Sequence, residues 1–281
     1  MDAMTKKELS ILATKIRMAV IEGTFHAKSG HPGGSLSIAD DLAYLYWKEM
    51  RIDPANPKWA GRDRLVLSKG HAAPALYGAL ALRGFFPTDL IPTLRKTDSI
   101  LQGHPDMKHI PGVDMSSGSL GQGISCAVGM ALAGKLDQAD YRVYTILGDG
   151  EIEEGQVWEA FMAAAKYNLD NLCAVIDVNG LQIDGKTADV MPTEPLDKKM
   201  EAFGWNVIHV DGHDLAALSA AFEQAKSVSG KPTVLLAKTV KGKGVSFMEN
   251  DAGWHGKAPN AEQYEQARAE LVAALAEKEG K

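Results

Sequence analysis

A short glycine-rich and acidic stretch follows an apolar run near the middle of the chain. Asp149 lies between two glycines directly after VYTIL (143–147), and Asn179 ends the next apolar run, LCAVIDVNG (172–180). A strand that ends in a tight glycine turn and passes into a helix presents backbone N–H groups that can bind phosphate. If the two strands are neighbours, Asp149 and Asn179 lie side by side at one edge of a sheet.

Oxygen ligands at such an edge suit a divalent cation. Mg²⁺ is usually held by one or two protein oxygens together with substrate phosphates and water, and Ca²⁺ or Mn²⁺ accepts similar ligands. Asp149, the amide oxygen of Asn179 and a nearby carbonyl such as that of Leu181 would supply three oxygens. The alternative is that GDG only ends a strand and that Asn179 is a turn residue. The two strand contexts together favour the metal site.

The segments that must position these residues alternate between helix-like and strand-like patterns. This alternation predicts an α/β fold with an open, mostly parallel sheet and helices on both faces. Ligands of such sheets bind at the carboxyl ends of the strands. The predicted strands are 64–68, 143–147, 172–180, 205–212 and 233–240, and the predicted helices are 5–23, closed by Gly23, then 37–49, 73–84, 156–169, 214–228 and 261–279. Segment 118–135 is predicted to be a glycine-rich turn followed by a helix of small residues.

Composition and charge exclude several classes of protein. The 281 residues carry a net charge of −6 with scattered basic side chains, which is not the basic stripe of a nucleic-acid-binding protein. The amino terminus is charged where a secretory signal is apolar, and no apolar run approaches the ~18 to 20 residues of a membrane span. We therefore expect a cytoplasmic protein without nucleic acid or membrane as partner. Cys126 and Cys173 are expected to be small core residues.

Seven short motifs give the sequence a family resemblance. Each is weak alone, but all seven occur in the order found in the amino-terminal domain of transketolase, which the chain resembles from about residue 10 to residue 260. The resemblance implies a single thiamin diphosphate-binding domain over residues 1–281. The motifs are SGHPGGSLS (29–37), RDRLVLSKGHAAPALYGAL (62–80), GHPD (103–106), GSLGQGISCAVGMALA (118–133), GDGEIEEGQVWEA (148–160), IDVNGLQIDG (176–185) and WHGKAP (254–259).

The resemblance also implies a set of cofactor residues. Thiamin diphosphate would bind together with Mg²⁺, for which Ca²⁺ or Mn²⁺ could substitute. Asp149, Asn179 and the backbone oxygen of Leu181 would bind the metal. Around the diphosphate and the thiazolium ring, the implied residues are Gly148, Gly150 with its N–H, Gly118, Leu120 and Ile183. Taken alone, Leu120 and Ile183 would be plain core residues.

Four of the eight histidines lie beside glycine or proline in non-helical stretches, and the resemblance places them around the substrate. Imidazole suits this place because it titrates near neutral pH and both donates and accepts hydrogen bonds. His71 and His255 would also contact the cofactor. The catalytic candidates are His31, His71, His104 and His255, whereas His26, His109, His209 and His213 are expected to be structural or surface residues.

Three glutamates follow the GDG triplet. Carboxylates in the first turn of a helix are favoured by its dipole, and we expect no more than that of Glu151 and Glu153. Glu154 matches the glutamate that lies between the two cofactor sites of a transketolase dimer. The resemblance therefore implies a catalytic and cofactor-binding role for Glu154, and self-association of the chain. The basic segment 238–244 is equally consistent with a solvated turn and with part of the cofactor entrance.

Transketolases normally continue into a pyrimidine-binding domain and a third domain, whereas this sequence stops at Lys281. We expect the amino-terminal subunit of a two-component transketolase, most simply α2β2, whose partner carries those domains. It would transfer a two-carbon ketol unit from a ketose, by expectation a sugar phosphate, to an aldose. A truncated piece of a longer chain is the alternative.

Three other functions stay open. A 1-deoxyxylulose-phosphate-synthase-like enzyme lacks, in its pattern, a glutamate at the place of Glu154, and a 2-oxo acid dehydrogenase-like subunit lacks this set of histidine motifs. A non-catalytic, regulatory module that keeps the thiamin diphosphate-binding fold is the third.

Overall fold

A computed structural model describes residues 1–280. Five parallel strands form the central sheet in the order β1-β2-β3-β7-β6. A short antiparallel hairpin, β4 with β5, follows β3 directly. The strands are β1 (Arg64–Leu67), β2 (Val143–Gly148), β3 (Leu172–Val178), β4 (Leu181–Gln182), β5 (Gly185–Lys186), β6 (Asn206–Asp211) and β7 (Thr233–Lys238).

Helices cover both faces of the sheet. One core cluster joins α1, α3, α4, α9 and α10 to one face, and a second joins α5, α6 and α8 to the other. The helices are α1 (Ala3–Ala27), α2 (Pro32–Ser37), α3 (Ala39–Tyr44), α4 (Ala73–Arg83), α5 (Gln122–Leu136), α6 (Gly155–Lys166), α7 (Thr187–Val190), α8 (Leu196–Ala202), α9 (Leu215–Ser227) and α10 (Ala261–Glu279). The predicted fold class is confirmed.

The central strands are continuously apolar because both of their faces are covered. In β3, Cys173 and Val175 belong to one core cluster, whereas Leu172, Ala174 and Ile176 belong to the other. Successive side chains of a strand point to opposite faces, so a doubly covered strand has no polar positions to alternate with. Among the described residues, no helix combines the length and the apolar character that a membrane span requires.

Three local predictions were wrong. Helix α1 continues past Gly23 to Ala27. Gly23 does not end the helix but lets it pack closely against Ile91 and Leu94. The segment predicted as one helix from residue 37 begins instead at Pro32, which suits a first turn, and is broken at Ile38. Cys173 is buried as predicted, but Cys126 is half-exposed on α5.

The amino-terminal end of α5 approaches the end of β1 closely. A Cβ atom on Gly123 would lie 2.5 Å from the Cα of Ser68 and 2.7 Å from its Oγ. Backbone atoms cannot yield at such a distance, so a glycine is required there. Gly129, one and a half turns further along the same helix, has no atom within 4 Å of the equivalent position.

The same substitution at these two glycines should therefore have opposite effects. Gly123→Ala is expected to lower the free energy of unfolding by about 1 to 3 kcal/mol through overpacking. Gly129→Ala should raise it by about 0.5 to 1 kcal/mol, because alanine loses less backbone entropy in a helix. Urea denaturation of both variants checks this, and a change of the same sign in both would contradict the close approach.

Candidate functional site

A cavity of about 200 Å³ opens at the carboxyl ends of the central strands. It contains most of the predicted site residues, together with Lys69, for which no site role was predicted, and Lys241 of the basic segment 238–244, for which a place at the cofactor entrance was one of two alternatives. Its lining comprises Gly34, Lys69, His71, Leu120, Gly148, Asp149, Gly150, Glu151, Asn179, Leu181, Gln182, Ile183, Lys241 and His255.

The predicted metal ligands lie together because β2 and β3 are neighbours. Gly148 pairs with Asp177 in register, so the tips of the two strands are adjacent. Asp149 Oδ2 accepts a hydrogen bond from the N–H of Gly180 at 2.6 Å, next to Asn179. Burial and the nearby Asp177 raise the pKa of Asp149 to about 6, which a bound cation would counteract. The N–H of Gly150, assigned to a diphosphate, is donated here to Asp149 Oδ1 at 2.9 Å.

Hydrogen bonds fix the orientation of the Asn179 amide. Its Nδ2 donates to Asp177 Oδ2 at 3.0 Å, so the amide oxygen faces the other way and accepts from the N–H of Leu181 at 3.1 Å. The carbonyl of Leu181 already has a cationic partner, because Lys241 Nζ lies 3.2 Å from it. A carboxylate, an amide oxygen and a carbonyl are a hard-oxygen set that fits Mg²⁺ or Ca²⁺.

Asp177 and Lys69 form a buried ion pair beneath this corner. Lys69 Nζ lies 2.5 Å from Asp177 Oδ2 and donates to the carbonyl of Gly34 at 2.8 Å. Ser37 donates to the same carboxylate at 2.7 Å, and Thr239 donates to its other oxygen. Although burial opposes ionisation, Lys69 holds the pKa of Asp177 below its usual value. Neither residue was assigned a role from the sequence, although Asp177 stands two residues before Asn179 and so on the same face of the strand.

Three of the four predicted histidines form one cluster. The ring centroids of His31, His71 and His255 lie 5.0 to 5.3 Å from one another. His104 is separate, with its ring against the backbone of Gly118. Burial lowers the pKa values of all four, to about 4 for His31 and about 3 for His255, so the rings are neutral near pH 7.

Hydrogen bonds define two of these imidazoles further. Lys241 Nζ lies 3.1 Å from His255 Nδ1, and an ammonium can only donate, so the proton of His255 is on Nε2. Burial and Lys69 lower the pKa of Lys241 to about 8. Nδ1 of His31 is buried without a hydrogen-bond partner among residues 1–280. Buried polar atoms of this kind are normally satisfied, so His31 is suited to bind a ligand.

Comparison with known proteins agrees with this geometry. Residues 9–277 match the family described as transketolase, thiamine diphosphate binding domain. The chain belongs to the transketolase family. It is 50% identical to a 6-deoxy-6-sulfo-D-fructose transketolase subunit from Clostridium sp. (strain MSTE9), over 97% of this chain and 98% of that one. It is 44% identical to an apulose-4-phosphate transketolase subunit from Phocaeicola vulgatus, over 95% of both chains.

Solved transketolase structures have the same fold. A transketolase variant from Pichia stipitis superposes with a TM-score of 0.87 at 33% identity, over 98% of this chain and 44% of that one. Human transketolase is 44% identical over 91% of this chain and 41% of its own length. The chain therefore spans less than half the length of these transketolases, and corresponds to their amino-terminal, thiamin diphosphate-binding part.

Four further positions predicted from the transketolase resemblance differ in their exposure, and only Leu120 and Ile183 of them line the cavity. Leu120 is 37% exposed and Ile183 66% exposed, so neither is a core residue. Glu154 is exposed at the start of α6. Gly118, with φ of +149°, packs against Gly70 and His104 behind the cavity wall.

The expectation for Glu151 was wrong. Instead of being a solvated first-turn carboxylate, it is 2% exposed and lies in a 3₁₀ turn before α6.

The buried ion pair can be tested by removing one partner. Lys69→Met leaves the Asp177 carboxylate buried without its counter-charge and should lower the free energy of unfolding by about 3 to 5 kcal/mol. Lys6 and Asp214 form a matched ion pair at 2.8 Å whose side chains are 50% and 44% exposed. Lys6→Met should therefore change the free energy of unfolding by less than about 1 kcal/mol. Equal losses in the two variants, measured by denaturation, would contradict the central role of the buried pair.

Proposed function

We propose that this chain is the thiamin diphosphate-binding subunit of a two-component transketolase, transferring a two-carbon ketol unit from a ketose to an aldose. The observation that carries the proposal is the meeting, in one cavity, of an oxygen corner for a divalent cation with two lysines and neutral histidines. Thiamin diphosphate supplies the nucleophilic carbon that makes this transfer possible. The residues of this chain bind that cofactor, exclude water and move protons.

In the proposed complex, the oxygen corner holds the metal. Asp149, the amide oxygen of Asn179 and the carbonyl of Leu181 bind Mg²⁺, or Ca²⁺ or Mn²⁺ in its place. Lys241 and Lys69 add positive charge to the same cavity, which suits the negatively charged diphosphate. We also assign the N–H of Gly150, which is donated here to Asp149 Oδ1, to the diphosphate.

The histidines manage protons of the sugar. A neutral imidazole can give a proton with one nitrogen and accept one with the other, and all four rings are neutral near pH 7. We assign hydroxyl protons of donor and acceptor to His31 and His255. His71 and His104 contact the two-carbon unit. Because Lys241 donates to Nδ1 of His255, the Nε2–H of that ring is the end that meets the substrate.

A second polypeptide is part of the proposal. Two relatives of nearly the same length are named as transketolase subunits, one for a sulfonated and one for a phosphorylated sugar. We propose a partner that carries the pyrimidine-binding and C-terminal domains and most of the groups that bind the charged end of the sugar. A sugar phosphate is the expected substrate, with a sulfosugar as the second candidate, because the relative at 50% identity is named for one.

Self-association of the chain is supported by the surface of α5 and α6. Large apolar side chains are exposed along these two helices, namely Leu136 at the end of α5 at 75%, Met162 of α6 at 54% and Tyr167 directly after α6 at 54%. Exposed apolar clusters of this kind are typical of protein contacts. Glu154 precedes α6 at its amino-terminal end, and we propose that it faces the cofactor site of a second copy in an α2β2 assembly.

The proposal is tested by co-expressing this chain with the polypeptide encoded beside it and assaying two-carbon transfer from a ketose phosphate or sulfonate to an aldose. The complex should be active only with thiamin diphosphate and Mg²⁺. Asp149→Ala should abolish activity, and it should also abolish metal-dependent cofactor binding, which calorimetry measures. The control is Asp184→Asn, which changes an exposed carboxylate in the nearby hairpin and should affect neither property. Turnover of pyruvate would favour a synthase or dehydrogenase, and a complex that binds the cofactor but transfers nothing would favour a regulatory module.

The proton role of His255 has its own test. His255→Ala should lower kcat by about 10²- to 10⁴-fold, the usual contribution of a positioned acid or base, while thiamin diphosphate still binds. His209→Ala is the control, because the His209 side chain is 69% exposed and belongs to β6, the outermost strand of the sheet. Unchanged kcat in His255→Ala would remove this residue from the mechanism.

A further inference from the structure

Glu151 is a buried carboxylate that the proposed mechanism does not use. Its Oε1 accepts hydrogen bonds from Ser68 Oγ at 2.6 Å and from the N–H of Gly121 at 3.0 Å. Its Oε2 accepts from the N–H of Gly148 at 3.0 Å. One side chain therefore joins the end of β1, the GDG turn (residues 148–150) and the glycine loop (residues 118–121).

Ser68 extends this contact to helix α5. Its hydroxyl donates to Glu151 and accepts from the N–H of Ile124 at 3.1 Å. Ile124 is the third residue of α5, where backbone N–H groups lack partners within the helix. Gly121, the residue before α5, has no side chain to cap the helix, so Glu151 and Ser68 provide the caps from other elements.

The ionised form of Glu151 fits this position. Each oxygen faces only donors, so the site is built for a carboxylate. A solvated first-turn glutamate would have no such requirement.

We infer that Glu151 is a positioning residue which couples the GDG turn to the glycine loop. The inference rests on the proposed function, in which the GDG turn holds the diphosphate and Leu120 of the glycine loop meets the thiazolium ring. In thiamin diphosphate these two groups are joined by a short ethyl linker, and the segments that bind them are about thirty residues apart in the chain. Glu151 fixes the distance between them.

Coupling of this kind distinguishes two ligands. Inorganic diphosphate with Mg²⁺ needs only the GDG turn and the metal corner. Thiamin diphosphate needs both segments in register. Loss of Glu151 should therefore weaken thiamin diphosphate selectively, whereas general damage to the fold should weaken both ligands.

Glu151→Gln is the sharpest substitution because it keeps size and shape. Whichever way the amide is turned, its NH₂ group meets the N–H of Gly148 or that of Gly121, and two donors repel each other. The substitution also removes a negative charge beside the site, which by itself would strengthen the binding of an anion. A loss of affinity must then come from the geometry. Ser68→Ala tests the same network with the carboxylate intact, and Glu159→Gln changes an exposed glutamate of α6 as a control.

The experiment is calorimetry on the full chain with Mg²⁺, using thiamin diphosphate and inorganic diphosphate as separate probes, together with the melting temperature of each variant. The unchanged chain should bind thiamin diphosphate more tightly than diphosphate. Glu151→Gln should weaken thiamin diphosphate by about tenfold or more, with diphosphate within about threefold. Ser68→Ala should shift the ratio of the two affinities, thiamin diphosphate to diphosphate, in the same direction. Glu159→Gln should leave this ratio unchanged.

Three results would overturn the inference: equal weakening of both probes, no weakening in Glu151→Gln, or an unchanged chain that does not prefer thiamin diphosphate. If Glu151→Gln does not fold, Ser68→Ala decides, and an unchanged ratio in that variant overturns the coupling. An unchanged chain that binds neither probe would instead count against the proposed function.

Discussion

The ion pair between Lys69 and Asp177 is the interaction on which the site depends. It lies directly behind the proposed metal corner, almost fully buried, and Asp177 also binds the side chain of Asn179. A buried charge without a partner costs several kcal/mol, so each member requires the other. Through Ser37, Thr239 and Asn179, the pair ties α2 and the tips of β3 and β7 to the end of β1. The orientation of the amide oxygen at the proposed metal site follows from this pair.

Charge balance explains the other features of the cavity. Burial and the nearby Asp177 raise the pKa of Asp149, and burial and the nearby Lys69 lower the pKa of Lys241. The site therefore holds two carboxylates and two lysines in a small volume, and the pKa values of Asp149, Asp177 and Lys241 differ from their usual values. Clusters of displaced pKa values are typical of functional sites, because chemistry requires groups whose protonation is set by the surroundings and not by bulk water.

The sequence was sufficient for the fold class and for the meeting of Asp149 with Asn179, because both depend on strand order and on continuous apolar runs. It was insufficient for Lys69, Asp177 and Glu151. Their contacts join segments 83 to 108 residues apart, and no local pattern distinguishes a buried lysine after a strand from an exposed one. The break at Ile38 was missed for a related reason, since the helix period continues across it. The second polypeptide and the α2β2 assembly stay predictions.

The apolar rim of the cavity affects the solubility of the isolated chain. Leu120 and Ile183 are large apolar side chains left open to water, and Met191 beyond the hairpin is 56% exposed as well. Water favours covering such groups with any apolar surface available. The isolated chain would thus be prone to aggregate through this rim. Synthesis together with the polypeptide that covers the rim would prevent this.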